Sequence, residues 1–165
     1  MMAPNLAPVL PEESEWIAGQ LVGMTPWREL GYQADTLRNY LLGSQTGFQA
    51  LCLHVEGSPA GIITLRSPWL RGTLLELLAV LPEFQQQGLG KWLMQWLQAN
   101  ARDKNQRNLW TLVSAFNTPA IRFYQSQGFT TIGQLDDFIV NGQHELLLRY
   151  IIEPIISIDQ GESHA

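Results

Sequence analysis

The stretch LLAVLPEFQQQGLGKWLMQWL, residues 77–97, joins an apolar run to an amphipathic segment through three glutamines and two glycines. The run that leads in, Thr73 to Val80, is nearly continuously apolar with Glu76 its one charge, the pattern of a central strand covered on both faces. After the turn, Leu89, Trp92, Leu93, Trp96 and Leu97 recur at the spacing of one buried helix face, leaving Lys91, Gln95 and Gln98 for the other side. A strand that enters a helix through glycines is a place where backbone N–H groups converge. The first helical turn leaves its amides unpaired at the positive end of the dipole, which stabilises a phosphate. Spacing excludes two common phosphate motifs. A dinucleotide fingerprint needs glycine where Leu93 stands, and a P-loop needs glycine at Gln85 and Ser or Thr at Trp92. On the junction alone, a plain, tightly packed turn accounts for the glycines equally well.

Working outward, residues 1–9 hold Pro4 and Pro8, so any strand there is short or at a sheet edge. From Pro11 to about Met24, Trp16, Ile17, Leu21 and Met24 repeat at helical spacing behind Glu12, Glu13 and Glu15. A second helix is expected over about residues 34–42, ended by Gly43. Phe48–Val55 and a run beginning at Ile62 read as strands joined by the turn EGSPAG. A short strand, Leu109–Val113, precedes a helix over about Thr118–Gln127, with Asn117 as N-cap and Gly128 at its end. Phe129–Val140 and Gln143–Ile152 flank Asn141-Gly142, the strongest short hairpin signal. The order is helix, helix, three strands, helix, strand, helix, two strands, with an optional strand in front. This is an α/β or α+β arrangement with a mixed sheet in one domain, residues 1–158, followed by a flexible tail, residues 159–165.

Composition narrows the function. A chain of 165 residues with 45% hydrophobic content can bury a sizeable core. The net charge of −5 offers no basic stripe for nucleic acid. Cys52 is the single cysteine, which excludes an internal disulfide and a cysteine metal cluster; no metal is expected. No apolar run approaches the ~20 residues needed to span a bilayer, and the N-terminus lacks a basic, then apolar, leader. A cytoplasmic protein is the expectation. The apolar segment YIIEPIISI, residues 150–158, is a candidate contact for a homodimer.

The junction does not stand alone. With Gln85, Gly88 and Gly90, it resembles the Gln/Arg-x-x-Gly-x-Gly/Ala signature of the GNAT superfamily of N-acetyltransferases. The segment NTPAIRFYQSQGF, residues 117–129, is similar to the second family motif at Asn117, Ala120, Tyr124, Gly128 and Phe129. The resemblance covers about residues 47–150. It implies a mixed, mostly antiparallel twisted sheet of about six or seven strands flanked by about four helices. Two of those strands would splay apart to admit acetyl-CoA as acyl donor. On this chain, backbone groups of Leu78, Ala79 and Val80 would then pair with the pantetheine arm. Amides of Gln85, Gln86, Gln87, Gly88, Leu89, Gly90 and Lys91 would hold the pyrophosphate, and Asn117 and Phe123 would line the arm.

The same resemblance implies an enzyme acetylating a primary amine of a small molecule or peptide by direct attack; the alternative is a non-catalytic module that senses acyl-CoA or a metabolite. Such chemistry needs a deprotonated amine, donors for a developing oxyanion, and an acid for the departing thiolate. Tyr124 holds the position of the acid. Glu76, a carboxylate within an apolar strand, is the candidate base, because burying such a group is costly unless it is paired or faces a wet cleft. Asp136, Asp137 and His144 are weaker candidates. Relatives acting on protein N-termini often carry a Glu where this chain has Leu112, which disfavours that acceptor. The loop MTPWRELGYQ, residues 24–33, supplies Trp27 and Tyr32 as an aromatic wall and Glu29 as an attractor for a cationic amine; Asp137 completes the expected acceptor set.

Overall fold

The computed structural model describes residues 3–153. In chain order the elements are β1 (Asn5–Pro8), α1 (Pro11–Leu21), α2 (Trp27–Leu30), α3 (Ala34–Leu41), β2 (Phe48–Val55), β3 (Ser58–Arg66) and β4 (Gly72–Val80). A 3-10 turn at Pro82–Phe84 follows, then α4 (Leu89–Asp103), β5 (Asn108–Ser114), α5 (Thr118–Ser126), β6 (Thr130–Leu135) and β7 (Glu145–Ile151). The seven strands form one sheet in the order β1-β2-β3-β4-β5-β7-β6. Every neighbouring pair is antiparallel except β4 and β5, which run parallel. A parallel pair needs a crossover, and α4 provides it. The expected mixed, mostly antiparallel sheet is therefore present, with five helices where about four were expected; the extra one is the single turn α2.

Both faces of the sheet are covered, which suits the largely apolar sequences of its central strands. Alternation divides β3 between two cores: Ile62 packs with Ile17, Leu21, Leu37 and Leu41 of α1 and α3, whereas Ile63 packs with Leu93, Met94 and Leu97 of α4. The amphipathic face of α4 lands as its spacing predicts, although Trp92 and Trp96 flank the core, and Met94 and Ala101 enter it. Cys52 is fully buried in the α1/α3 core. Trp69 anchors its connector edge-on against Trp110, with ring centroids 5.7 Å apart.

Two expectations are corrected. The first helix stops at Leu21 and leaves Trp16 54% exposed, so Trp16 is not on the core stripe. The hairpin forms, since β6 and β7 pair antiparallel, but its strands do not reach Asn141-Gly142: β6 ends at Leu135 and β7 begins at Glu145. The two-residue turn itself is present, with the Gln143 N–H donating to the Val140 carbonyl at 3.2 Å, but it sits at the tip of a wider loop. Asp137, at φ 52°, accepts the Gly142 N–H at 2.7 Å, and its own N–H donates to His144 Nδ1 at 3.2 Å, closing residues 136–144 into a wider loop. Only Tyr150–Glu153 of the apolar segment at 150–158 lies within the described residues, and the expected tail lies wholly outside them.

Candidate active site

β4 and β5 pair over four rungs, from Gly72↔Asn108 to Leu75↔Thr111. At the last rung the Thr111 hydroxyl donates to the Leu75 carbonyl at 2.9 Å. One residue further along, the register of β3 against β4 passes from Leu65↔Leu75 to Thr64↔Leu77, so Glu76 is a bulge that bends the strand. Beyond it the two strands separate. Leu77–Val80 and Leu112–Ser114 line opposite sides of a cavity of about 850 Å³, within the range of ligand pockets.

The glutamine–glycine turn sits at one end of this cavity. Gly88 caps α4 in the left-handed region at φ 81°, a conformation costly for any residue with a Cβ. The first intrahelical bond runs from the Trp92 N–H to the Gly88 carbonyl at 3.0 Å, so the amides of Leu89, Gly90 and Lys91 have no partner within the helix. Gly90 packs beneath Phe123, where an added Cβ would stand 3.4 Å from the ring. The Gln85 side chain donates to the Val80 carbonyl at 2.9 Å and braces the turn against the strand end. Of the residues expected to hold the donor, Leu78, Ala79, Val80, Gln85, Gln86, Gly90, Asn117 and Phe123 line the cavity. Gln87, Gly88, Leu89 and Lys91 do not; the Leu89 side chain is buried in the core, and those of Gln87 and Lys91 face outward. Asn117 caps α5 by accepting the Ala120 N–H at 3.4 Å.

Tyr124 lies in the cavity wall, its ring edge-on to Phe123 and Phe129 at 5.4 and 5.5 Å. Burial pushes its phenol up to about 12, with the nearby Thr111 hydroxyl pulling the other way. Glu76 also lines the cavity but is fully engaged. Its Oε1 accepts from the Tyr40 hydroxyl at 2.7 Å and from Arg66 at 3.1 Å, and its Oε2 accepts from Arg66 Nε at 2.6 Å. A carboxylate held on both oxygens by one guanidinium is a positioned ion pair, poorly suited to collecting a substrate proton.

A second carboxylate was missed. Glu145, the first residue of β7, is 5% exposed, lines the cavity and accepts a 2.6 Å bond from the Ser114 hydroxyl directly across the β5/β7 pair. Burial raises its pKa above the ordinary value, and the Ser114 bond opposes that. The available signal was an acid heading the apolar run Leu146–Leu148, the same signal that drew attention to Glu76.

The acceptor residues divide. Trp27 and Tyr32 line the cavity, and the Tyr32 phenol is raised by burial and then by the charge of Glu145. Glu29 and Asp137 do not line it. Glu29 is bound to the Thr25 hydroxyl at 2.8 Å and to Arg28 at 2.9 Å, which together lower its pKa. Asp137 spends its carboxylate on the loop, whereas its neighbours Phe138 and Ile139 reach the cavity. Among the described residues one group, Glu13, Cys52 and His54, places three metal-ligand atoms within 4.8 Å of one another. None of the three lines the cavity, and Glu13 and His54 are bonded to each other. No described helix is long and apolar enough to cross a membrane.

A parallel strand pair that opens beside an amide-rich helix start is paralleled by known sequences, for residues 13–129 match the model of the acetyltransferase (GNAT) family. The chain belongs to that GNAT family. The ribosomal protein bS18-alanine N-acetyltransferase of Escherichia coli is 32% identical over 104 residues, 63% of this chain and 64% of that one. Streptothricin acetyltransferase of Streptomyces lavendulae is 32% identical over 88 residues, 53% of this chain and 46% of that one. The chain thus spans about half to two thirds of the length of these relatives. Among solved structures, the Escherichia coli S18-alanine N-acetyltransferase superposes with a TM-score of 0.74 at 18% identity, over 96% of this chain and 98% of that one. A Bacillus anthracis acetyltransferase solved in complex with acetyl coenzyme A superposes with a TM-score of 0.60 at 17% identity, over 67% of this chain and 65% of that one. Both likenesses concern the fold.

Proposed function

We propose that this GNAT protein transfers an acetyl group from acetyl-CoA to a primary amine of a small molecule or peptide by direct attack within a ternary complex. The observation that carries the proposal is the β4/β5 pair ending at Leu75 and Thr111, with α4 amides unpaired within the helix at one end of the opening and Tyr124 in its wall. The cavity residues suit an extended thioester. Free strand edges offer backbone groups to a pantetheine chain, and the helix start offers N–H groups and a positive dipole end to a pyrophosphate. Acetyl-CoA supplies the activated acyl group. Strand amides near Ala79 would stabilise negative charge on the thioester oxygen. Tyr124, whose phenol keeps its proton through neutral pH, is the acid for the leaving sulfur.

The two named relatives acetylate a ribosomal-protein alanine and streptothricin, a peptide acceptor and a small molecule, which supports an amine acceptor of either kind. The test is coenzyme A release from acetyl-CoA across a panel of amines, with products followed by mass spectrometry. Tight acetyl-CoA binding with no release on any amine would favour the sensing module.

A further inference from the structure

Two carboxylates line the cavity, Glu76 and Glu145, and no Lys, Arg or His among the described residues does. Arg66 and Tyr40 satisfy Glu76 on both oxygens. Glu145 has a single bond, from Ser114 to Oε2; its Oε1 has no partner among the described residues and is not sealed from the cavity. The remaining titratable groups facing this space are Tyr32, Tyr40 and Tyr124, all phenols raised by burial and so uncharged at neutral pH. Asp137 and His144, in the adjoining loop, are bonded within that loop. The site therefore offers one unpaired negative charge.

Much of the rest of the cavity lining is apolar. Pro26, Trp27, Leu30 and Leu37 line it, and Phe138 and Ile139 do so while remaining 54% and 41% exposed. Large apolar side chains left exposed in a cavity lining gain stability when a ligand body covers them.

We propose that Glu145 binds the acceptor ammonium and takes its proton, and that the acceptor is a primary amine with one cationic centre on an apolar body. This rests on the acetyl-transfer reading above. The ammonium gives one proton to the Glu145 carboxylate. The freed nitrogen pair forms the N–C bond to the thioester carbon, and the C–S bond breaks with its electron pair on sulfur. Tyr124 gives its proton to that sulfur and regains one from the acylated nitrogen, and Glu145 returns its proton to solvent. The balance is ammonium plus thioester to amide, thiol and one proton. The raised basicity of Glu145 suits a proton acceptor, because a stronger base removes an ammonium proton more readily. A polyamine fits poorly, since its further cations would enter an apolar wall with no counter-charge.

The test pairs hexylamine with 1,6-diaminohexane, alike in length but carrying one cation or two. The expected kcat/KM favours hexylamine by at least about tenfold and rises about fourfold per methylene along a short n-alkylamine series. Glu145→Gln is expected to keep acetyl-CoA binding, lose about a hundredfold in kcat and lose the acidic limb of the pH–rate profile. Ser114→Ala keeps the carboxylate but removes the bond that favours its charged form, so the acidic limb moves to higher pH. A diamine that matches or outpaces hexylamine overturns the acceptor class. An unchanged acidic limb in both variants overturns the role of Glu145, while turnover persists and the acetyl-transfer reading stands. Acetyl-CoA binding without coenzyme A release on any amine overturns the acetyl-transfer reading and this inference together.

Discussion

Replacing Tyr124 with phenylalanine removes one oxygen and separates chemistry from structure. The ring is 7% exposed and held edge-on between Phe123 and Phe129, contacts that phenylalanine keeps. The structural loss is that of one neutral hydroxyl, about 1 kcal/mol, or about 2–4 °C in Tm for a chain of this size. The catalytic loss is that of a positioned general acid, about a hundredfold in kcat and at least about tenfold. Acetyl-CoA affinity should change little, because the proposed pyrophosphate contacts lie at the α4 start. With the phenol at about 12, Tyr124 stays protonated across the working range, so wild type and variant should share the same pH limbs at different heights. The assay is steady-state coenzyme A release between about pH 6 and 9, alongside calorimetric acetyl-CoA binding and thermal melting. A variant that turns over at the wild-type rate would remove Tyr124 from the mechanism. One that loses acetyl-CoA binding in parallel with kcat would recast it as a packing residue of the donor cleft.

Three further outcomes are expected. Gly88→Val forces a β-branched residue to φ 81°, at about 1–2 kcal/mol, and titration should show acetyl-CoA binding at least about tenfold weaker; Gln86→Ala, which removes an exposed side chain, should lose far less, and equal losses would refute the amide-cradle account. Glu76→Gln should lower stability by about 1–3 kcal/mol by breaking the Arg66 pair, yet keep the acidic limb of the pH–rate profile; loss of that limb would restore Glu76 as the base. Glu145 carries a raised pKa in the fold, so its contribution is stabilising below the unfolded pKa and is lost as pH rises through the folded value. Glu145→Gln should therefore melt above wild type at about pH 7, with the difference shrinking below about pH 4; a variant that melts lower at pH 7 would contradict the burial argument.

What the sequence made legible follows from local physics. The run at 73–80, the turn at 85–90 and the face of α4 were readable because strand burial, amide convergence and helical periodicity are short-range properties of consecutive residues. Asn117 was readable as a cap for the same reason, and it accepts the Ala120 N–H. The misreadings concern competition or distance. Asn141-Gly142 turns the chain as its signal predicts, but the Asp137 bond to Gly142 holds it in a longer loop in place of flanking strands, and that loop delivers Phe138 and Ile139 to the cavity. Trp16 fits the helical spacing of α1 yet falls outside the stripe that Ser14, Ile17, Ala18 and Leu21 bury. Glu76 is conspicuous in its strand, but its Arg66 partner is ten residues away on β3, across a bulge that spacing does not reveal. Glu145 becomes distinctive only when β7 pairs with β5 and sets it opposite Ser114 in the cavity lining.

The central claim is acetyl transfer in the opening between β4 and β5, and it is tested most directly by one mass-spectrometric measurement. The purified protein is incubated with acetyl-CoA and hexylamine, and coenzyme A and N-acetylhexylamine are quantified together. The account predicts equimolar formation of both over many turnovers, nearly abolished in Tyr124→Phe. Saturable acetyl-CoA binding with neither product formed, from hexylamine or from any amine in a broad panel, would contradict it.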